Sequence, residues 1–332
     1  MVEQKPDAAQ IRDALAGLKH EFWVGADERR WWWPDYVFHY TDLRNAVSIL
    51  KDGRLLSRMR AETEGKLVVS SGSSSVLAGT GTWVKDCVRL YFRPLTPTQY
   101  WAEGIQSSAT LARSRYRDAH CPVPVFFLFD SSEILTRADC KFADGGLNKP
   151  SRVFTTARDL RNLPWEKIYH TDAIDPMHFE ESDIAHRRNA EVIVPRELDL
   201  DALCCIHCRS AAEKETLQHL LPLELRHRYQ DRIMATTYRM LFYRRHTYIE
   251  TVHLSSHSAS FYFPSDTSAP GPFQLHVECD KPGFRHCDNP KFFAAKPLRL
   301  ELPGLVSEYM IRLELDGHLA YENSYKDMKV SF

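Results

Sequence analysis

Apolar positions along the first two thirds of the chain switch between two periods. From Ala8 to Glu21, Ile11, Leu15 and Leu18 recur at helical spacing and predict one amphipathic helix. Tyr36–Tyr40, Val88–Phe92, Val123–Phe129, Ala190–Val194 and Leu203–Ile206 are short runs rich in aromatic and branched residues, and are predicted as strands. Helices are predicted between them. Thr41 or Asp42 can cap one over Leu43–Lys51, with Gly53 placed to stop it. Pro97–Glu103 reads as the first turns of another, and Ser210-x-x-Glu213 is a capping box opening a helix through Leu221. The small, polar segment Ser70–Thr82 lacks the GK[ST] ending of a phosphate-cradling loop and is predicted to be mobile, a candidate lid.

Near Ala235–Arg245 the pattern changes. Alternating runs at Tyr248–Leu254, Ser260–Phe263, Phe273–Val277, Leu298–Leu302 and Tyr309–Leu315 are punctuated by Pro264, Pro270-Gly271-Pro272, Pro282-Gly283 and Pro303-Gly304. Short strands at such spacing predict an all-β sandwich. The expected division is an N-terminal helical extension at 1–34, an α+β domain at 35–230 and a β-rich accessory domain at 235–332.

Composition changes this picture little. Of 332 residues, 43% are apolar and 26% charged, with a net charge of -1, so any nucleic-acid contact must come from a local basic patch. Met1–Asp13 has no apolar signal core and no run approaches the ~18 apolar residues of a membrane span, so a cytoplasmic protein without membrane contact is expected. Eight irregularly spaced cysteines read as reduced thiols. Cys204-Cys205-Ile206-His207-Cys208, with Cys279 and His286-Cys287, could ligate zinc, but a lone C-x-x-C lacks its second spaced pair; buried thiols and no metal are expected. Trp31-Trp32-Trp33 cannot all face one core from a strand, and serves either as cover for the domain edge or as a stacking surface for bases.

The candidate chemistry lies in polar groups set into apolar strands. Three segments carry it: Phe38-His39-Tyr40-Thr41-Asp42-Leu43-Arg44-Asn45; Leu90-Tyr91-Phe92-Arg93-Pro94 running on to Tyr100; and Arg188-Asn189-Ala190-Glu191-Val192-Ile193-Val194-Pro195. A strand-borne His, Arg and Glu need partners, which points to one shared cleft. Arg113-Ser114-Arg115-Tyr116-Arg117 interleaves basic and aromatic groups, suiting single-stranded nucleic acid or simply a solvated helix face. Phe142-Ala143-Asp144-Gly145-Gly146-Leu147-Asn148 is either an ordinary turn or a loop whose glycines admit a nucleotide.

Taken in this order, over about residues 35–215, these segments resemble the DarT family of DNA ADP-ribosyltransferases. The resemblance implies a split mixed β-sheet core of the ADP-ribosyltransferase kind, NAD+ as co-substrate, and transfer to thymine or guanine of single-stranded DNA. It also implies a toxin or antiphage effector, paired with a macrodomain antitoxin. Carried onto this chain, it makes Glu191 and Arg93 catalytic and places His39, Tyr40, Thr41, Asn45, Tyr91 and Tyr100 around the cofactor. Arg113, Arg115, Tyr116, Asp144, Gly145 and Arg188 would meet nucleic acid. Two positions depart from the family pattern: Asp42 stands where many members have histidine, and Leu95 where many have arginine. Arg93 could supply that guanidinium from the same strand face, displaced by about 6–7 Å. An NAD glycohydrolase, an RNA or protein ADP-ribosyltransferase and a degenerate nucleic-acid-binding protein are the alternatives.

Overall fold

The computed structural model describes residues 3–327 apart from 26–27, 176–177, 237–239, 285 and 305–306. Ten strands come first: β1 (Tyr36–Asp42), β2 (Arg54–Leu56), β3 (Cys87–Tyr91), β4 (Pro124–Asp130), β5 (Lys141–Ala143), β6 (Val153–Phe154), β7 (Glu191–Pro195), β8 (Glu197–Asp199), β9 (Leu203–Cys208) and β10 (Ile233–Ala235). Eight of them form one mixed sheet in the order β10-β9-β4-β1-β3-β7-β5-β6, while β2 and β8 pair separately.

The sheet is split at its middle. β1 is antiparallel to β4 along its whole length, from Tyr36 opposite Asp130 to Asp42 opposite Pro124, and β3 is likewise paired with β7. Between β1 and β3, however, only Phe38 and Tyr91 are in register. Backbone groups that lose a ladder partner need another. Across this seam the His39 side chain supplies one, its Nδ1 lying 3.2 Å from the Arg89 carbonyl.

Helices fix the strands from both sides. The Asp42 carboxylate accepts from Arg44 N at 3.0 Å and caps the helix Leu43–Asp52, which ends at Gly53 with φ 73°. The helix Ala8–His20 buries Ile11, Leu15 and Leu18 in the same core as β1, β3, β4 and β7, so the first helix is built into this domain. Trp33 lies fully buried, edge-on to Tyr169 at 5.3 Å, whereas Trp32 is half-buried and Trp31 exposed.

Seven strands follow: β11 (Thr251–Leu254), β12 (Ser258–Tyr262), β13 (Phe273–Cys279), β14 (His286–Phe292), β15 (Leu298–Glu301), β16 (Glu308–Leu315) and β17 (His318–Lys326). They form two sheets, β11-β12-β15 and β14-β13-β16-β17, around a second core in which Phe261 meets Tyr321 at 5.7 Å. The pattern of apolar positions misses β14 because it is an edge strand carrying Pro290 and few buried side chains. The sandwich docks on the helix Ala211–Leu220, where the Tyr321 hydroxyl donates to Glu215 at 2.8 Å and Glu322 N to Thr216 Oγ1 at 3.2 Å. Before it, Leu241 and Phe242 remain in the first core, and buried Glu103 accepts from Tyr243 N and Arg244 N at 2.9 and 2.7 Å.

Trp33→Ala is expected to cost about 3–5 kcal/mol, seen as a lower urea midpoint, because nothing nearby can fill the space of that ring. Acid should destabilise the chain through its histidines. Burial holds His39, His207 and His246 at about 4 and His120 at about 3, against an ordinary 6.5. The unfolded chain therefore binds more protons within that window. The stability they contribute is full above pH 6.5 and declines as pH falls towards about 4, which urea unfolding at neutral pH and at about pH 5 will measure.

Candidate active site

Glu191 opens β7 and is 1% exposed. A carboxylate so buried requires partners. Arg89 provides a two-toothed one: its Nε donates to Oε2 and its Nη2 to Oε1, each at 2.5 Å. Leu147 N, on the turn after β5, donates to Oε1 at 3.1 Å. A carboxylate takes about four hydrogen bonds, so these three leave one position on Oε2 for a ligand. Burial works against the Arg89 charge, yet the adjoining carboxylate outweighs it and holds its pKa above the ordinary arginine value.

The antiparallel register sets Tyr91 directly across from Glu191, two residues on from Arg89, so all three share one face of the β3–β7 pair. Burial pushes the Tyr91 phenol up to about 12, which keeps it neutral. These groups line a cavity of about 850 Å³ that opens at the seam between β1 and β3, within the range of about 300–1,000 Å³ usual for ligand sites. His39 and Thr41 also line it. Burial keeps the His39 imidazole neutral, at about 4. Because a carbonyl only accepts, the bond to Arg89 O puts the proton on Nδ1 and leaves Nε2 as an acceptor, suited to a sugar hydroxyl.

Other expected site residues occupy different positions. Asn45 lines the cavity, but its amide is saturated: Nδ2 donates to Thr41 Oγ1 at 3.2 Å and to Val69 O at 2.8 Å, while Oδ1 accepts from Val68 N and Val69 N, both at 2.9 Å. It pins the approach to the next segment instead of offering a ligand contact. Tyr40 also lines the cavity, while its ring, on the face of β1 opposite His39, packs against Phe126 at 5.3 Å. The segment expected to be a mobile lid contains the helical turn Ser74–Gly79, tied down by Ser74 N donating to Asp118 at 2.6 Å. It forms a wall of the cavity through Ser71, Gly72, Val76 and Leu77.

The expectation for Arg93 is corrected. β3 ends at Tyr91, and the backbone then turns, with Leu95 at φ 57°, so the extended spacing does not carry on to Arg93. Arg93 instead lies over the Trp33 ring at 4.7 Å and donates to the carbonyls of Pro94, Ile168 and His170. The arginine on the carboxylate is Arg89. Its signal was present in the sequence as a lone charge between Val88 and Leu90, the same kind of signal that marks Glu191.

The basic and glycine-rich segments divide as well. Arg115 and Tyr116 line the cavity rim, the guanidinium over the Tyr116 ring at 5.6 Å and that ring edge-on to Trp101 at 6.0 Å. Arg113 is exposed at the end of the helix Ser108–Arg113, outside the cavity lining. Tyr100 lines the cavity beneath the Arg245 guanidinium at 3.8 Å. Asp144 is occupied by an ion pair with Arg187 at 2.7 Å. A Cβ on Gly145 would come within 2.3 Å of His186 Nε2, so this glycine admits the His186 ring and not a nucleotide. Arg188 is 8% exposed and lines the cavity. Among the described residues, no cluster of three His, Cys, Asp or Glu is placed to hold a metal ion.

Arg89→Leu, which strands Glu191 as an unpaired buried carboxylate, is expected to lower stability by about 3–5 kcal/mol. Adding Glu191→Leu should restore most of that loss in urea unfolding, because both charges are then gone.

A family model described as "DarT: ssDNA thymidine ADP-ribosyltransferase, DarT" matches residues 38–242. Solved structures of Thermus sp. 2.9 DarT are also similar. The complex with ADP-ribosylated ssDNA has 17% identity and a TM-score of 0.49, covering 63% of this chain and 97% of that one. The complex with NAD+ has 17% identity and a TM-score of 0.45, covering 61% and 96%, and the complex with carba-NAD+ has 18% and 0.47, covering 63% and 98%. No curated protein matches the sequence. On the family match, which spans more than half of its length, the chain belongs to the DarT family of NAD+-dependent ADP-ribosyltransferases.

Proposed function

We propose that this protein transfers ADP-ribose from NAD+ to a base of single-stranded DNA, with Glu191 as the catalytic carboxylate. The observation that carries the proposal is the buried Glu191, clamped by Arg89 on the wall of a cavity large enough for a dinucleotide. In the reaction, the bond between nicotinamide and its ribose breaks and its electrons leave with nicotinamide, which departs neutral. A ring nitrogen of the base then bonds to the ribose C1″, and its proton passes to Glu191. The fixed carboxylate also steadies positive charge building on the ribose, as in glycoside hydrolysis. Arg89 is a positioning residue that keeps Glu191 aimed, leaving Oε2 to receive the proton.

His39 Nε2 accepts a sugar hydroxyl, Thr41 and the neutral Tyr91 offer further polar contacts, and Tyr100 supplies an aromatic edge. Arg115 and Tyr116 at the rim receive the acceptor strand, by phosphate contact and stacking. An unpaired base spares the cost of extracting it from a duplex. Thymine is placed first, since the family description names thymidine, with guanine the other base considered. A cytoplasmic toxin or antiphage role, with a macrodomain partner removing the modification, is proposed from the family likeness. The division into a transferase unit at 35–230 and an accessory unit at 235–332 belongs to the same proposal.

The test is mass spectrometry of single-stranded DNA and RNA oligonucleotides after incubation with NAD+ and the wild-type protein or Glu191→Ala. Expected is a gain of one ADP-ribose on DNA, lost in the variant by roughly a hundredfold or more. Free nicotinamide without an adduct would mean hydrolysis, and an adduct confined to RNA would replace the acceptor. No turnover of NAD+ would overturn the proposal.

A further inference from the structure

At one side of the cavity, two arginines are buried together with no carboxylate of the described residues in an ion pair with either, although the charge of Asp172 is felt at Arg188. Arg93 is 2% exposed and Arg188 8%, and both line the cavity. They come from separate elements, the turn after β3 and the approach to β7, and meet at the segment Ile168–Asp172. Arg93 Nη1 donates to the Ile168 carbonyl at 3.0 Å and also to that of His170, and Arg188 Nη2 donates to His170 Nδ1 and the Asp172 carbonyl. Arg29 and Arg30 bond to the same segment, at Thr171 Oγ1 and the Tyr169 carbonyl.

Carbonyls satisfy some of these hydrogens but do not neutralise the charges. Arg188 Nε is fully buried and has no hydrogen-bond partner. A guanidinium has five donors, and those of Arg188 and Arg93 are only partly used. Buried charges are ordinarily paired, and removing two like charges from water side by side is costly. Burial, and then each other's charge in the case of Arg93, pulls both below the ordinary arginine value, Arg93 to about 9. A site of this kind awaits an anion. The shape of two guanidinium forks fits a phosphate group better than a point charge would.

We propose that Arg93 and Arg188 form a seat for one phosphate group of a bound substrate. The proposal rests on the transfer reading given above. Two substrates of that reaction carry the group: the pyrophosphate of NAD+ and the backbone phosphate of the acceptor strand. Tyr243 adjoins both arginines and meets Tyr100 at 5.1 Å, so the seat lies at the end of an aromatic path running through Trp101 to Tyr116 at the rim.

The variant that tests the seat is Arg188→Gln, with Arg188→Lys beside it; Arg93 also holds the Ile168–His170 backbone and is the poorer choice. Urea unfolding first establishes that each variant is folded. Adduct formation on single-stranded DNA by the wild type, read by mass spectrometry, tests the transferase reading separately, since no variant of the seat enters that measurement. Two arms then follow: the KM for NAD+, and the affinity for an oligothymidylate by fluorescence anisotropy across a salt series. Expected for Arg188→Gln is a loss of roughly tenfold or more in one arm, with Arg188→Lys recovering part of it. A raised KM for NAD+ with unchanged oligonucleotide affinity names the pyrophosphate. Weaker oligonucleotide binding with a shallower salt slope names the strand phosphate. A folded Arg188→Gln that leaves both arms unchanged, while wild type forms the ADP-ribosyl adduct, would overturn the seat and leave the transferase reading standing.

Discussion

Everything at this site depends on one buried carboxylate and the partners that hold it. Glu191 sits on a strand whose other face is the domain core, and it is almost completely removed from water. A carboxylate so placed needs partners for both oxygens. The structure supplies them by committing Arg89, from the neighbouring strand, to a two-toothed ion pair, and by turning the loop after β5 so that Leu147 N donates to Oε1. The pair is less a device for stability than a means of holding the carboxylate in one place, because a buried ion pair recovers little beyond its own desolvation cost.

The split in the sheet follows from the same requirement. A continuous ladder between β1 and β3 would leave no room over Arg89, Tyr91 and Glu191. Register is kept at a single pair, Phe38 with Tyr91, and the cavity opens along the seam. The His39 ring takes up the Arg89 carbonyl that the missing ladder would have used, which fixes its tautomer and leaves Nε2 as an acceptor on a cavity-lining residue. One side chain thus repairs the backbone and equips the site. The glycine at 145 serves the same geometry from behind, since it lets the His186 ring pack against the turn that presents Leu147.

The C-terminal sandwich is joined to this arrangement through buried polar contacts. Glu103 follows the helix Pro97–Ala102 and accepts from the backbone at 243 and 244, which sets Tyr243 against Tyr100 at the cavity wall. The turn between β16 and β17 reaches the helix Ser108–Arg113, where Asp316 accepts from Ser108 N at 3.2 Å. The sandwich therefore contacts the segment leading to Arg115 and Tyr116.

What the sequence alone determined is what depends on local chemistry. Alternation gave the main strands, Asp42 and Gly53 bounded a helix, and the change of texture near residue 235 announced the sandwich. Polar groups inside apolar strands marked Glu191 and His39, because no strand buries such groups without a partner. The partners themselves were decided by tertiary structure. Whether Arg89 or Arg93 meets Glu191 depends on where β3 ends and on its register with β7, and the run of residues from Val88 to Leu95 does not encode either by itself. The saturation of Asn45 by Val68 and Val69, and the use of Gly145 against His186, likewise join segments far apart in the chain. Local spacing sets which side chains can share a face, but long-range packing chooses which of them touch.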